Sequence, residues 1–341
     1  MANILESLLS TPQLHGPKRQ HYGPRFYLNG FTNEGLVAVF DRTSGAIARQ
    51  TPENTGVVGH LYTFEDHQNR RRYDLEKLFE YIETRAAPII KMLVAGERPK
   101  FEDFDNFTTF LALAAVRTPA AIAETQLVEE GLLKARMRAE FGRESDALRY
   151  LRETKGPGAD KAKLRRSAKK LTKMVREDRY RINVDPGNAL ARVVRTFHVV
   201  AKELWERDWL VLRPENEESR FLTCDSPVVL TSTSSEARAL PVGYGSPHGQ
   251  VLFALTDRCA LVLAGHQKRF GTRRLSPDMV RRFNLTVAAD CYRYVFASDE
   301  ELLLSVEADL ELGKTPWASR QDVGTVHRNG SLHAFIRTRA R

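Results

Sequence analysis

The chain has 341 residues, of which 42% are hydrophobic and 28% charged, with 21 glycines and 15 prolines. This composition is typical of a folded protein with one large or two ordinary domains, and it excludes a disordered or fibrous chain. The longest apolar stretch, Thr108 to Val116, is far shorter than the ~20 residues that a membrane-spanning helix requires. The opening MANILESLLS carries Glu6 and no basic residue before Lys18, which is the wrong order for a secretory signal.

The cysteines and histidines carry no recognisable metal or disulfide pattern. Cys224, Cys259 and Cys291 form neither a C-x-x-C pair nor an even disulfide set, so we expect a protein of the reducing cytoplasm. No P-loop sequence and no histidine spacing typical of a zinc site occurs. The sequence therefore predicts no cofactor, no metal and no membrane association.

The predicted elements begin with a β-rich region behind a polar leader, residues 1–19. The segments GLVAVFD and AIARQT are separated by turn residues and predict a β-hairpin, which a short strand around Leu61 to Phe64 would join. From about residue 73 to 207 the apolar period is helical, with a kink or break at Thr118-Pro119. Within this helical middle, the breaker KGPGAD precedes a basic helix, and we expect residues 155–185 to be an insertion.

Strand patterns return from Trp209 onward, in the order WLVLR, RFLTCD, PVVLTS, QVLFALT and CALVLAG. We expect these strands to pair antiparallel, and we expect residues 301–341 to form a helix and a hairpin around Asn329-Gly330. There is no regular alternation of strands and helices, which argues against a doubly wound parallel sheet. The prediction is an α+β fold in which residues 20–300 form one integrated domain, with the helical middle packed against the N-terminal hairpin and the C-terminal strands.

Most of the net charge of +9 lies in residues 161–181, which contain ten basic and two acidic residues. Apolar residues recur there at spacings of four, three and four, which predicts an amphipathic helix with a cationic face. We predict that this face binds nucleic-acid phosphates. The predicted contacts are Lys161, Lys163, Arg165, Arg166, Lys169, Lys170, Lys173 and Arg176.

Two other interpretations of this helix stay open. The charge could serve only solubility as a solvated face. The helix could also lie on an anionic membrane, but its apolar stripe is thin and lacks Trp and Phe, so this interpretation ranks third.

Arg117 is a charged residue at a position where burial is expected. It lies seven residues after Phe110 and three after Ala114, on the apolar face of its predicted helix. A buried guanidinium needs a carboxylate or an anion. Glu83, beside the apolar stripe of the preceding helix, and Asp225, at the end of the strand RFLTCD, are both candidate partners.

These residues, with His21 and Arg25, form our candidate catalytic site of His21, Arg25, Glu83, Arg117 and Asp225. Guanidinium groups bind phosphate bidentately, a histidine transfers protons near neutral pH, and a carboxylate orients the histidine or activates a nucleophile. This set predicts metal-independent phosphodiester cleavage. RNA is a better substrate than DNA for such a site, because the 2′-hydroxyl supplies an internal nucleophile.

The alternative is that the five polar residues form a buried ionic network that locks the terminal β region onto the helices. The protein would then be a non-catalytic binding or regulatory module. A component of a toxin–antitoxin or phage-defence system, with an acidic protein as its partner, is one such module.

Several short sequence blocks form an ordered pattern along the chain. The first is the string HYGPRFYLNGF at residues 21–31. The others are Asp41-Arg42, Pro52, Asn54, Tyr62, Leu75-Glu76, Glu83, Ala87-Pro88, Arg117-Thr118-Pro119, Trp209, Phe221, Thr223, Asp225-Ser226-Pro227-Val228, Asn284 and Arg293. With these blocks the chain resembles an uncharacterised bacterial family, domain-of-unknown-function family 4238, over roughly residues 20–297. Cys224 stands where we expect serine in that family, and the basic helix lies between the recognisable blocks. The resemblance implies one integrated α+β domain and no particular activity.

Overall fold

A computed structural model describes residues 12–66, 68–184, 186–232, 242–319, 321–328 and 331–338. The described chain folds into two units. Unit 1 contains residues 12–123 and 186–318, and unit 2 contains residues 124–184 together with the segment from residue 319 onward. Helices and strands occur in both units, so the predicted mixture of α and β structure is confirmed. Among the described residues, no helix combines the length and the hydropathy needed to cross a bilayer.

The helices, in chain order, are α1 (Arg25–Leu28), α2 (Asp74–Ala95), α3 (Phe101–Val116), α4 (Pro119–Phe141), α5 (Glu144–Lys155), α6 (Lys161–Arg176), α7 (Pro186–Trp205), α8 (Pro277–Ala289) and α9 (Glu300–Leu310). The strands are β1 (Arg19–His21), β2 (Val37–Asp41), β3 (Ala46–Gln50), β4 (Val57–Gly59), β5 (Phe64–Glu65), β6 (Arg71–Arg72), β7 (Asp208–Pro214), β8 (Thr223–Cys224), β9 (Val229–Ser232), β10 (Gly249–Thr256), β11 (Cys259–Ala264), β12 (Phe270–Leu275), β13 (Tyr294–Ala297), β14 (Gln321–Arg328) and β15 (Ser331–Thr338).

The break predicted at Thr118-Pro119 separates α3 from α4. Pro119 takes the first position of α4, where a missing N–H costs nothing because it has no partner within the helix. The Thr118 hydroxyl accepts a hydrogen bond from the Ala121 N–H over 3.1 Å and so satisfies one exposed donor of the new helix. The break places Arg117 at the end of α3, outside the regular helix.

The predicted hairpin is confirmed as β2 and β3, paired from Val37 with Gln50 to Asp41 with Ala46. These strands belong to a four-stranded antiparallel sheet in the order β3-β2-β13-β8. The strand expected around Leu61 to Phe64 does not join this hairpin. Instead β5 pairs with β6, and β13 occupies the free side of β2.

The second sheet of unit 1 has the order β12-β7-β11-β10-β9. Its pairs among the predicted C-terminal strands are antiparallel, as expected. Strand β12, which was not among the predicted strands, pairs parallel with β7. The chain leaves β11 through Gly265, whose φ of 65° suits a tight turn, and crosses the end of β7. Asp208 holds the crossover, because its Oδ1 accepts hydrogen bonds from the N–H groups of Gln267 and Arg269 at 2.9 Å each.

Helices α2 and α3 pack on this second sheet, and α7 packs against α3. The ring of Phe107 on α3 lies 5.5 Å from Trp209 on β7 and 6.3 Å from Phe253 on β10. Large buried aromatic rings of this kind supply much of the apolar area that stabilises a domain core. Helix α3, which carries Arg117 at its C-terminal end, is therefore fixed by its packing on the sheet.

Unit 2 contains most of α4, the hairpin of α5 and α6, and the strand pair β14 and β15. Its small core is formed by Phe141, Ala147, Ala168 and Val175. Leu171 also packs there and Leu164 is buried, so the apolar stripe predicted for the basic helix is confirmed. The helix itself ends at Arg176, five residues earlier than the segment 161–181 suggests. Residues 329 and 330 of the predicted C-terminal turn lie outside the described residues, while the flanking strands pair from Gln321 with Thr338 to Arg328 with Ser331.

Candidate functional site

Arg117 is buried as its spacing predicts, with 1% of its surface exposed. Of the two candidate partners, Glu83 forms the ion pair, with its Oε1 atom 2.5 Å from Arg117 Nη2. The guanidinium also lies over the ring of Phe79, 5.0 Å from its centroid. Burial works against the charge of Arg117, but the attraction of Glu83 outweighs it and the pKa of the guanidinium is raised. Arg117 is therefore a permanent buried cation.

Two further side chains complete the interior of this cluster. Tyr62 is fully buried on the path between β4 and β5, and its hydroxyl donates to the carbonyl oxygen of Arg117 over 3.0 Å. Glu76 lies on α2 seven residues before Glu83, on the same side of the helix. Within the described chain, neither Glu76 Oε1 nor Arg117 Nε has a hydrogen-bond partner, although both atoms are buried. The interior of the cluster thus contains unsatisfied polar atoms of both charge types.

Burial raises the pKa of Glu76 to about 7, against the lowering effect of Arg117. The folded protein therefore keeps a proton on Glu76 that the unfolded chain, with an ordinary pKa of 4.5, releases. It follows that stability decreases as the pH rises from about 4.5 to 7.

We expect Glu76→Gln to remove this part of the pH dependence. At pH 8 the variant should be more stable than the wild type by about 1–2 kcal/mol, discounted because Glu76 is partly solvated, and at acid pH the two should be equal. Urea unfolding of both proteins across this pH range measures the difference. Glu97→Gln, at an exposed position, is the control and should leave the pH profile unchanged. A constant difference between Glu76→Gln and wild type at every pH would contradict the assignment.

His21 and Arg25 form the outer part of the cluster. His21 lies on β1, and its Nε2 is 3.2 Å from the carbonyl oxygen of Glu53. Burial lowers the pKa of His21, and Arg25 and Arg19 act in the same direction, while Glu83 raises it. The Arg25 side chain is 57% exposed and pairs with the Glu53 carboxylate.

Asp225 is buried but does not pair with Arg117. Its Oδ1 accepts from the N–H of Tyr292 over 2.7 Å, and its Oδ2 accepts from the N–H groups of Arg293 and Tyr294 over 2.6 and 2.9 Å. Burial raises the pKa of Asp225 to about 6, although these three backbone hydrogen bonds oppose the shift. The carboxylate thus fixes the turn that leads into β13. Its oxygens are occupied by the protein itself.

Of the five predicted site residues, the structure pairs Arg117 with Glu83 and places His21 and Arg25 against Glu53. Glu83 contacts Arg117 and acts on the pKa of His21, and Arg25 also acts on His21. Asp225 acts instead on Tyr22, whose pKa is raised by burial first and then by Asp225 and Tyr294. Chemically, the outer part offers a histidine and an exposed guanidinium, while Arg117 could reach a ligand only after separating from Glu83.

The predicted phosphate contacts lie in unit 2, on the exposed side of α6. All eight side chains from Lys161 to Arg176 are exposed. Lys173 lies 4.0 Å from Glu177, and the Arg176 Nε donates to the carbonyl oxygen of Gly142 over 2.8 Å. The other six make no ion pair with any residue that the structure describes: Lys161, Lys163, Arg165, Arg166, Lys169 and Lys170.

Other kinds of site are scarce in the described part of the chain. No group of three His, Cys, Asp or Glu side chains lies close enough there to hold a metal ion. A cleft of about 350 Å³ lies in unit 1 between the first turns of α8 and α9 and residues 218–220, and none of the predicted site residues lines it.

The fold and the cluster define a class of mixed α+β protein in which N-terminal strand residues and two helices surround a buried arginine. The chain belongs to the family described as "Protein of unknown function (DUF4238)", whose model matches residues 19–301. No curated protein and no solved structure matches the chain significantly.

Three residues of the cluster are absent from the predicted site: Tyr62, Glu76 and Glu53. Tyr62 and Glu76 are in the sequence blocks that resemble the family, and Glu76 has the helical spacing that places it beside Glu83, so a signal for both is present in the sequence. Glu53 carries no such signal, because its contacts with His21 and Arg25 depend on the pairing of β1 with β4.

Proposed function

We propose that the protein binds nucleic acid through the cationic face of α6. The observation that carries the proposal is the set of six exposed cations on one 16-residue helix, none of them paired with a described acidic side chain. Unpaired lysines and arginines bind the phosphates of the backbone and release the counterions condensed there. This release is the main source of sequence-independent affinity.

The arrangement of these cations supports backbone binding without sequence selection. Arg165 and Lys169, like Arg166 and Lys170, lie four residues apart, which spaces each pair ~6 Å apart along one side of the helix. The exposed face offers no Asn or Gln, the side chains that read adenine edges. The buried stripe on the opposite side keeps this face turned to solvent.

Replacing Arg165, Lys169 and Lys170 together with glutamine tests the proposal. We expect the affinity for a labelled RNA oligonucleotide to fall about 100-fold at 0.1 M salt, and the slope of log affinity against log salt to decrease in magnitude by about 2–3. Fluorescence anisotropy over a salt series measures both quantities.

The matched control removes three exposed cations of unit 1, in the variant Lys77→Gln, Lys91→Gln, Arg282→Gln, so that the change in net charge is the same. It should retain most of the affinity and the wild-type slope. Equal losses of RNA affinity in the two triple variants would show only a general charge effect. An affinity that does not change with salt would contradict binding to nucleic-acid phosphates.

A second candidate function is phosphodiester cleavage at the outer part of the polar cluster. The observation that favours it is His21, a partly exposed histidine whose lowered pKa keeps it neutral at physiological pH and able to accept a proton. Arg25 is exposed beside it and could bind a phosphate if it separated from Glu53. The burial of Arg117 and the occupied oxygens of Asp225 support a structural role for those two residues instead.

The cleavage candidate is tested with labelled RNA and DNA. The expected result is turnover of RNA by the wild type and by His15→Ala, whose histidine is exposed and lies outside the cluster, and loss of turnover in His21→Ala. Identical background rates for the three proteins would end the enzymatic interpretation and leave a binding protein. The proposal includes a cytoplasmic location, supported by three buried cysteines that form no disulfide.

A further inference from the structure

Unit 1 exposes an unusual aromatic side chain where α3 begins. Phe101 is 75% exposed, the largest value among the exposed large hydrophobic residues of the described chain. Its ring centroid lies 5.4 Å from that of Trp205 at the end of α7, with the rings at 79°. A single exposed hydrophobic residue needs no explanation, but a nearly free phenylalanine beside a partly exposed tryptophan does.

Cationic side chains lie against the neighbouring rings. The Lys268 Nζ is 3.4 Å from the centroid of the Trp205 ring and 3.0 Å from Glu206 Oε2. The Arg98 guanidinium lies 6.0 Å from the Phe270 ring. Cations held over aromatic faces in this way are attracted by the ring quadrupole and still present N–H donors to solvent.

Strand β12 continues this surface on one side. Phe270, Thr272 and Arg274 share one face of the strand because side chains alternate. The Phe270 ring lies 6.5 Å from Phe104 of α3, which identifies this face as the one that the helices cover. Arg274 is exposed, and the structure describes no strand beyond β12 at this edge of the sheet.

Helix α7 continues the surface on the other side. His198 and Lys202 are exposed and precede Trp205 by seven and three residues, so the three side chains lie along one side of the helix. Exposed acids, Glu97 and Glu102, lie in the same part of the chain as Phe101. The surface therefore combines aromatic rings and cations with a few acidic side chains.

We infer that this aromatic–cationic surface, formed by Arg98, Phe101, Lys202, Trp205, Lys268 and Phe270, binds single-stranded nucleic acid. Bases stack on the exposed ring of Phe101. Lys202 and Lys268, the latter held over the Trp205 ring, contact the neighbouring phosphates. Stacking on aromatic side chains beside a basic track is how proteins hold unpaired bases without reading their sequence. A duplex keeps its bases stacked internally and gains nothing from these rings.

The inference rests on the proposed function for the class of ligand, but it concerns different residues in the other unit. It adds that the preferred ligand is single-stranded and that unit 1 takes part in binding it.

The test compares Phe101→Ala with wild type on a single-stranded oligonucleotide and on a duplex of the same sequence. We expect the affinity for the single strand to fall about tenfold and the affinity for the duplex to stay the same. Leu304→Ala is the control, because Leu304 is 58% exposed on α9 and is not part of the surface. It should leave both affinities unchanged.

The α6 triple variant, measured on the same two ligands, separates the two proposals. If it loses affinity while Phe101→Ala does not, nucleic-acid binding stands and the stacking surface is wrong. If neither variant changes binding, both proposals fall. If Phe101→Ala changes only the sedimentation behaviour of the protein, the surface is a contact between protein chains, and the inference is overturned.

Discussion

Arg117→Ala is expected to lower the free energy of unfolding by about 3–5 kcal/mol, because it removes one partner of a buried ion pair and leaves the other without compensation. It also empties the interior space where the guanidinium lies against the ring of Phe79. Urea unfolding followed by circular dichroism measures the loss.

A comparison with an exposed ion pair of the same protein separates the effect of burial on stability from the effect of charge. Arg281 pairs with Asp309 at 2.5 Å, but its side chain is 49% exposed. We expect Arg281→Ala to cost less than about 1 kcal/mol, as exposed pairs usually do. A double-mutant cycle of Arg117→Ala with Glu83→Gln then isolates the pair itself. A loss for Arg117→Ala as small as that for Arg281→Ala would contradict the buried network.

Asp225→Ala is expected to be similarly destabilising, by about 3–5 kcal/mol, because three backbone N–H groups lose their buried carboxylate acceptor. These donors belong to the turn before β13, so the four-stranded sheet should open first. Hydrogen exchange of the β13 amides, measured beside urea unfolding, reports on that local effect.

Asp225→Asn distinguishes hydrogen bonding from charge. The amide keeps one acceptor oxygen but places a donor against one of the N–H groups, so it should recover only part of the loss. Asp309→Ala serves as the control at an exposed carboxylate. Full stability in Asp225→Ala would mean that water replaces the carboxylate, and the assigned structural role would then be wrong.

The local pattern of the sequence accounts for much of the fold. The 3.6-residue period predicted the helices of the middle region, and Thr118-Pro119 predicted the break before α4. The parallel pairing of β12 with β7 could not be predicted from pattern, because it depends on a short crossover held by Asp208 rather than on the strands themselves. Likewise, the strand expected around Leu61 to Phe64 does not join the hairpin, and Leu61 lies in a turn. The edge of β2 that such a strand would have paired with is occupied by β13.

In the candidate site, too, local pattern predicts some features, whereas others depend on contacts between distant parts of the chain. The burial of Arg117 follows from its helical position, and the structure confirms it. The choice between Glu83 and Asp225 as its partner could not be made from sequence, because the oxygens of Asp225 are taken by backbone N–H groups that no side-chain pattern reveals. The importance of Glu76 was accessible in principle, because a residue seven positions before Glu83 shares its side of the helix.

The position of β13 has a consequence for biosynthesis. Asp41 on β2 meets Arg293, beside β13, across 252 positions of sequence. At ribosomal rates of about 5–20 residues per second, β13 is synthesised roughly 13–50 seconds after its partner strand β2. During this interval the nascent chain exposes an unpaired, largely apolar strand edge, so we expect the protein to depend on chaperones while it is being translated.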